Sequence, residues 1–255
     1  MNILKFDLYS NFCYFQDKVN IKSNISFPSI HRPALLGMLG AILGFDGFSK
    51  VKNNNSILYI EHLNSIEVGI VLKNTSFEYS KVKTTDSTLL DISNERNRQT
   101  LKTEYIINNP SFEIYLKIPD KELFEEIYFR LKNRKYHFEP SLGKSYFFAN
   151  IKNVEKVSIL DKNNLDIIDD DLVFINSLFS QKFLCDLSGE QFTDLFNKKE
   201  FTIGRSFSLP ISSDSISGIY NNFDAFTFNN FVLFDDIIDN EKFLNINNNV
   251  IYFFK

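Results

Sequence analysis

Phe27-Pro28-Ser29-Ile30-His31-Arg32-Pro33-Ala34-Leu35-Leu36-Gly37-Met38-Leu39-Gly40-Ala41-Ile42-Leu43-Gly44 is the stretch on which the fold turns. It follows an amphipathic opening run and reads as a helix with glycine built into it. Pro33 suits a first helical turn, where its missing N–H costs nothing, whereas Gly37 and Gly40 fall inside the helix and Gly44 near its end. Each interior glycine costs about 1 kcal/mol relative to alanine. Positions 37, 40, 41 and 44 recur at helical spacing, so small residues form one groove, while Leu35, Leu36, Met38, Leu39, Ile42 and Leu43 cover most of the rest. Such a groove implies a close neighbour. It is either a sheet packed underneath or a partner chain or nucleic-acid backbone at the helix N-terminus, and the two are compatible.

Working outward, Ile3 to Phe15 alternates as a strand, the helix follows at about 33 to 44, and Ile57 to Ile60 and Ile66 to Leu72 are β-rich runs. Phe112 to Ile118 alternates again. Asp120 then caps a helix whose Leu123, Phe124, Ile127, Tyr128 and Leu131 are spaced by three and four, with Arg130, Lys132, Arg134 and Lys135 at its basic end. Tyr146 to Val157 is a closing strand. Strand, helix, strand, strand, helix, strand is the ferredoxin-like order of an α+β domain, expected over residues 1 to 157.

About forty residues, too many for a plain connection and too polar for a core, interrupt that order between Leu72 and Phe112. Lys81 and Lys83 are two apart, as are Arg96 and Arg98, so an extended chain puts each pair on one face. This reads as a protruding hairpin, with arms about Phe77 to Thr85 and Arg96 to Ile107 and basic residues facing the same way. A solvated excursion whose charges only keep it soluble has the same composition.

The net charge is −4, unevenly spread: up to Lys152 there are 20 basic against 16 acidic residues, and from Asn153 onward 8 against 16. Ser206 to Glu241 holds no Lys or Arg. A polyanion would meet the first 150 residues and avoid the tail. Cys13 and Cys185 stand far apart without partners at metal spacing, so neither a disulfide framework nor a zinc site is indicated, and no cofactor motif is present. The apolar run from Ala34 to Phe45 is too short to span a bilayer, and a cytoplasmic, reduced setting without membrane contact is expected.

Glu139-Pro140-Ser141-Leu142-Gly143-Lys144-Ser145-Tyr146 joins the second helix to the last strand. It is not a Walker loop, because position 138 is Phe and no helix follows. A glycine turn with Lys and Ser still offers N–H groups, an ammonium and a hydroxyl to a phosphate, although an ordinary turn looks much the same.

Together the opening strand, the Pro28 to Gly44 helix start, Arg98-Gln99 with Asn109-Pro110 beyond, and Pro140-Ser141-Leu142-Gly143-Lys144-Ser145-Tyr146-Phe147-Phe148 resemble the CRISPR-associated family Cas five, most closely its type I-B members. The resemblance covers about residues 1 to 157. It implies an RRM-like RNA-binding domain with a thumb at about 74 to 107, which grips the 5′ handle of a guide RNA and caps a Cascade effector complex. The implied partners are the guide RNA, the Cascade backbone subunit and the large subunit, with target DNA met indirectly through the complex. His31 and Arg32 would bind phosphate at a helix N-terminus. Lys81, Lys83, Arg96, Arg98, Gln99 and Lys102 would follow the strand along the thumb, and Gly143, Lys144 and Ser145 would form the opposite wall. Residues 158 to 255 are expected to be a smaller β-rich extension.

Two other functions stay open. Relatives in another Cascade subtype cut precursor guide RNA without metal, using Tyr, His and Lys, and His31, His137, Lys144 and Tyr146 supply those residue types here. Alternatively, the chain is a scaffold: Tyr220, Phe223, Phe226, Phe228, Phe231 and Phe234 lie among acidic residues and would dock a neighbouring subunit if exposed, or fill a local core if not.

Overall fold

The computed structural model describes residues 2–16, 24–46, 58–74, 77–87, 99–162, 165, 172–185, 206–214 and 220–255. β1 (Ile3–Tyr9) turns Leu4, Phe6 and Leu8 into the core and Ile3, Lys5 and Asp7 the other way. A short β2 (Phe12–Cys13) follows, so the opening run is broken at Ser10 and Asn11. Then come α1 (Arg32–Leu43), α2 (Leu58–Leu63) and β3 (Glu67–Leu72). The hairpin arms are β4 (Tyr79–Ser87) and β5 (Gln99–Asn108), paired from Tyr79↔Ile107 to Ser87↔Gln99. β6 (Ser111–Lys117), α3 (Lys121–Asn133) and β7 (Asn150–Val157) complete the domain.

The sheet order β3-β6-β1-β7 is that of a ferredoxin-like fold. Leu4, Phe6 and Leu8 sit opposite Leu116, Ile114 and Phe112 in an antiparallel ladder, giving one unbroken apolar face for the helices. β7 carries one extra residue against β1 between Lys5 and Asp7, where Asn153 takes φ 51° and donates to Asp7. α3 begins as its sequence specifies: Asp120 accepts from Glu122 N at 2.8 Å and Leu123 N at 3.0 Å, and Phe124, Ile127 and Leu131 form the buried stripe.

Of the Ile57 to Ile60 run, expected as a strand, Leu58 to Ile60 open α2, and Ile57 lies outside the described residues. Tertiary packing overrides its β-propensity, because Tyr59 lies on α1 at Gly40, where a Cβ would stand 2.5 Å from the Tyr59 Cβ. The glycine groove therefore receives a helix at Gly40 rather than a sheet. The closing strand is also shorter than expected, since residues 146–149 belong to the preceding loop.

The tail forms β8 (Leu172–Ile175), β9 (Phe179–Ser180), β10 (Phe207–Ser213), β11 (Tyr220–Thr227), β12 (Asn230–Leu233), α4 (Phe234–Ile238), β13 (Phe243–Ile246) and β14 (Asn249–Tyr252). It joins the first domain through the outer edge of β3: Val68 and Phe254 exchange N–H···O bonds at 3.0 Å, and Leu178 N donates to Ile70 O at 2.7 Å. One hydrophobic core runs through both segments. Phe226, Phe228 and Phe231 are buried in the tail, so these rings fill a core instead of offering a docking face, while Phe223 stays exposed. Among the described residues no helix is long and apolar enough to cross a membrane.

Candidate nucleic-acid interface

The face of the sheet opposite the helices is closed. Part of it lies under the β13–β14 hairpin, where Leu244, Ile246, Ile251 and Phe253 pack on Ile3 and Tyr115. The remainder is a lattice of ion pairs. Lys5 Nζ stands 3.3 Å from Glu113 and 3.4 Å from Glu155, Lys73 meets Asp7 at 2.5 Å and Glu113 at 3.5 Å, and Lys117 meets Glu67 at 2.8 Å. Burial pushes the Asp7 carboxyl up, but Lys73 and Asn153 outweigh it and hold the group below its usual value. Alternating charge and the buried Tyr115 ring leave this face with little to attract or stack a single strand.

The other end of the domain is built differently. β2 pairs with β5 at Phe12↔Asn108, so the hairpin rises directly from the end of β1. Lys81 and Lys83 are exposed and stand opposite Tyr105 and Thr103, whereas Lys102 stands opposite Thr84. Directly opposed residues share a face, so Lys81 and Lys83 lie on one side of the ribbon and Lys102 on the other, with Glu104. The expected common basic face is thus divided in two. Arg96 and Arg98 lie outside the described residues, as does the Gln99 side chain.

Beside the ribbon root runs the loop from Glu139 to Ala149. Leu142 is fully buried and anchors it; Tyr14 N donates to Leu142 O at 3.1 Å, and Leu142 N donates to Phe147 O at 2.9 Å. Gly143 has φ 88°, and a Cβ there would sit 1.8 Å from the Tyr14 carbonyl oxygen, so only glycine fits. Lys144 reaches across to pair with Glu104 of β5 and lies 4.8 Å over the Tyr14 ring. Burial pulls its ammonium down, and Glu104 and Tyr146 more than compensate, leaving it above its usual value. Ser145, Tyr146 and Phe148 are exposed, and Phe12 is close to Phe147.

His31 and Arg32 do not face solvent. His31 is the N-cap of α1, its Nδ1 accepting from Ala34 N at 3.3 Å, and its ring is packed edge-on against Phe15, Phe27 and Tyr220. Burial lowers its pKa to about 3, so it carries no charge for a phosphate at neutral pH. The Arg32 guanidinium donates to the carbonyls of Asn64 (2.8 Å), Ile66 (3.1 and 3.2 Å) and Ile211 (3.3 Å). It ties α1 to the α2–β3 turn and to β10. These two residues hold the fold together where a phosphate site was expected. His137 stands at the far end of α1 against Gly44, about 18 Å from His31 along a twelve-residue helix. Among the described residues no three His, Cys, Asp or Glu side chains converge as a metal site.

Between α1 and the loop lies a cavity of about 500 Å³, lined by Tyr14, Phe15, Gln16, Pro33, Ala34, Gly37, Met38, Ala41, Tyr59, Glu104, Glu139, Ser141, Gly143, Lys144, Ser213 and Tyr220. Sequence reasoning missed its tyrosines, because Tyr14, Tyr59 and Tyr220 come from three distant segments. Glu104 was legible only as the residue two along from Lys102.

No protein-family model matches the sequence, and no curated protein matches it. Among solved structures, a chain of a CRISPR RNA-guided surveillance complex aligns over 91% of this chain and 91% of its own, with 11% identity and a TM-score of 0.51. A CRISPR protein from Archaeoglobus fulgidus aligns over 98% of both chains, with 12% identity and a TM-score of 0.47. A crystal structure of a Cas protein is matched over 57% of this chain and 58% of its own length, with 15% identity and a TM-score of 0.37. At such identities the first of these establishes a shared α+β fold.

Proposed function

We propose that this chain is a non-catalytic subunit of a type I CRISPR effector complex, of the Cas five kind that its first helix and Leu-Gly-Lys-Ser loop resemble, and that it holds the 5′ handle of a guide RNA. The observation that carries this reading is the β4–β5 ribbon rising beside the Glu139–Ala149 loop at one end of a ferredoxin-like sheet whose open face is closed. The fold shared with a chain of an RNA-guided surveillance complex supports it. Exposed lysines on either side of the ribbon, Lys81 and Lys83 on one and Lys102 on the other, offer charge to the phosphates of a strand that follows that side, and exposed Tyr146, Phe148 and Phe12 offer rings for unstacked bases, each such stack being worth about 1–3 kcal/mol. The acidic tail meets protein, the backbone or large subunit, because its charge repels RNA. Buried, uncharged His31 and ion-paired Lys144 favour binding over cleavage.

The test is to tag the chain, co-express it with its neighbouring genes, purify it and sequence the retained RNA. Short RNAs of uniform length sharing one 5′ end are expected. No RNA, or a random cellular mixture, overturns the reading.

A further inference from the structure

α3 ends on a backbone conformation that its residue does not favour. Arg134, at the C-cap, takes φ 53° and ψ 37° in the left-handed region, while its N–H donates to the carbonyls of Arg130 and Leu131. Gly or Asn fills such a position more readily than a residue with a long side chain. The chain keeps to that rule elsewhere: of the eight described non-glycine residues with positive φ, seven are Asn and the other is Arg134. The helix dipole favours a cation near this end, which Arg130, Lys132 and Lys135 already supply, and does not require one where the backbone favours Asn. Contacts within the chain do not explain it either, because the exposed Arg134 guanidinium forms no hydrogen bond or ion pair among the described residues.

The surface around Arg134 is apolar as well as basic. Phe129 is 46% and Phe138 55% exposed. Lys135 Nζ lies 5.1 Å over the Phe129 ring, and exposed His137 stands edge-on to Phe138, the ring centroids 4.6 Å apart. Shared anchors fix these residues at one corner: Arg130 Nη1 and His137 N both donate to Ile42 O at 3.0 Å, and Phe138 N donates to Ala41 O at 3.2 Å. The corner covers the C-terminal end of α1. The ribbon root lies at the other end, where Phe15 packs on His31 and Ser26 N donates to Tyr105 O of β5. Phenylalanine and arginine are enriched at protein interfaces. A nucleic acid fits less well, because Lys135 occupies a face of Phe129 on which a base would stack. The exposed stripe of α3 also continues from Phe129 back through Glu126, Glu125 and Glu122, which oppose a run of phosphates.

We propose that this corner docks a partner protein through a segment rich in Asp or Glu, with Arg134 bonded to a carboxylate and Phe129 and Phe138 seated among apolar side chains. The charge of Arg134 and Lys135 sets the sign of the partner, and the planar guanidinium suits a carboxylate held by two hydrogen bonds. The inference uses the membership of a complex proposed above but not the guide-binding end of the domain.

The experiment uses the full chain, tagged and purified with the products of its neighbouring genes, and has two arms. In the first, Phe138→p-benzoylphenylalanine is irradiated in the assembled complex and the adduct is mapped by mass spectrometry. A co-purified protein is expected, joined at a segment where Asp and Glu outnumber Lys and Arg. An adduct to RNA, an adduct to a neutral or basic segment, or no adduct in an assembled complex overturns the docking site. In the second arm, Arg134→Asn relieves the backbone while removing the guanidinium. Its melting temperature is expected to rise by about 2 °C while the partner leaves the immobilised chain about tenfold faster than from wild type. A lower melting temperature shows that the Arg134 side chain serves the fold, and an unchanged dissociation rate shows that it serves no partner; either overturns the proposal. Wild type that retains guide RNA without any protein overturns the docking site alone, and wild type that retains neither overturns the complex membership with it.

Discussion

The two ends of this domain's chemistry differ in how their lysines are employed. On the outer face of the sheet Lys5, Lys73 and Lys117 are each bonded to carboxylates, and the β13–β14 hairpin seals the remainder. On the ribbon, Lys81 and Lys83 are exposed, and at its root Lys144 sits between a carboxylate and two aromatic rings beside a cavity. A ferredoxin-like sheet offers a flat face as a binding platform, and here that platform is used for stability. On the proposed function, binding falls to the edge where the ribbon is rooted.

The sharpest way to break this comparison is at the seal. Phe253 is fully buried in the cluster that joins the hairpin to Ile3 and Tyr115. Phe253→Ala should cost about 3–5 kcal/mol in chemical denaturation. If the face is structural, the variant gains no RNA affinity; a gain in RNA binding on unsealing would show that the platform is merely covered.

Arg32 gives the next largest effect and separates the expected phosphate role from the observed one. Arg32→Met leaves the buried Ile66 carbonyl without its donor, at about 1–3 kcal/mol, and removes a donor from the part-buried carbonyls of Asn64 and Ile211. Stability measured by denaturant should fall, while RNA affinity of the folded fraction stays within twofold of wild type. The reverse pattern would restore Arg32 to the interface.

His31 carries the same contrast into pH. Its folded pKa of about 3 lies below the unfolded value near 6.5, so the neutral ring favours the folded state. That contribution is complete above pH 6.5 and is lost as pH falls toward 3, with a slope of about 1.4 kcal/mol per unit. His31→Asn keeps an N-cap acceptor and removes the titration. The difference in stability between wild type and this variant should therefore shrink on acidification through that window, and a pH-independent difference would place His31 in solvent.

What the sequence showed and what it hid follow from the same physics. α3 was legible in full because its cap and its apolar spacing are local, and the hairpin was legible because some forty largely polar residues between two strands have few other arrangements. Arg32 misled because a cation beside Pro33 at a helix start looks exposed, and only the convergence of three carbonyls from two other segments buries it. The run at Ile60 misled because Tyr59 finds its place on Gly40 of another helix. Lys81 and Lys83 share a face by local alternation, but Lys102 depends on the register between β4 and β5, which two-residue spacing does not give.

That register makes the smallest and most specific prediction. Lys81 and Lys83 lie on one side of the ribbon and Lys102 on the other, so a strand following one side contacts one set. Each phosphate contact removed lowers the slope of log affinity against log salt by about 0.7 for single-stranded RNA. If the strand tracks the cavity side, with Glu104 and Lys144, then Lys102→Gln reduces the slope by one such step. Lys81→Gln with Lys83→Gln then leaves it nearly unchanged, as Lys5→Gln on the sealed face should. If instead the double variant loses two steps and Lys102→Gln none, the strand runs along the opposite side. A single-stranded guide would then wrap the ribbon away from the cavity.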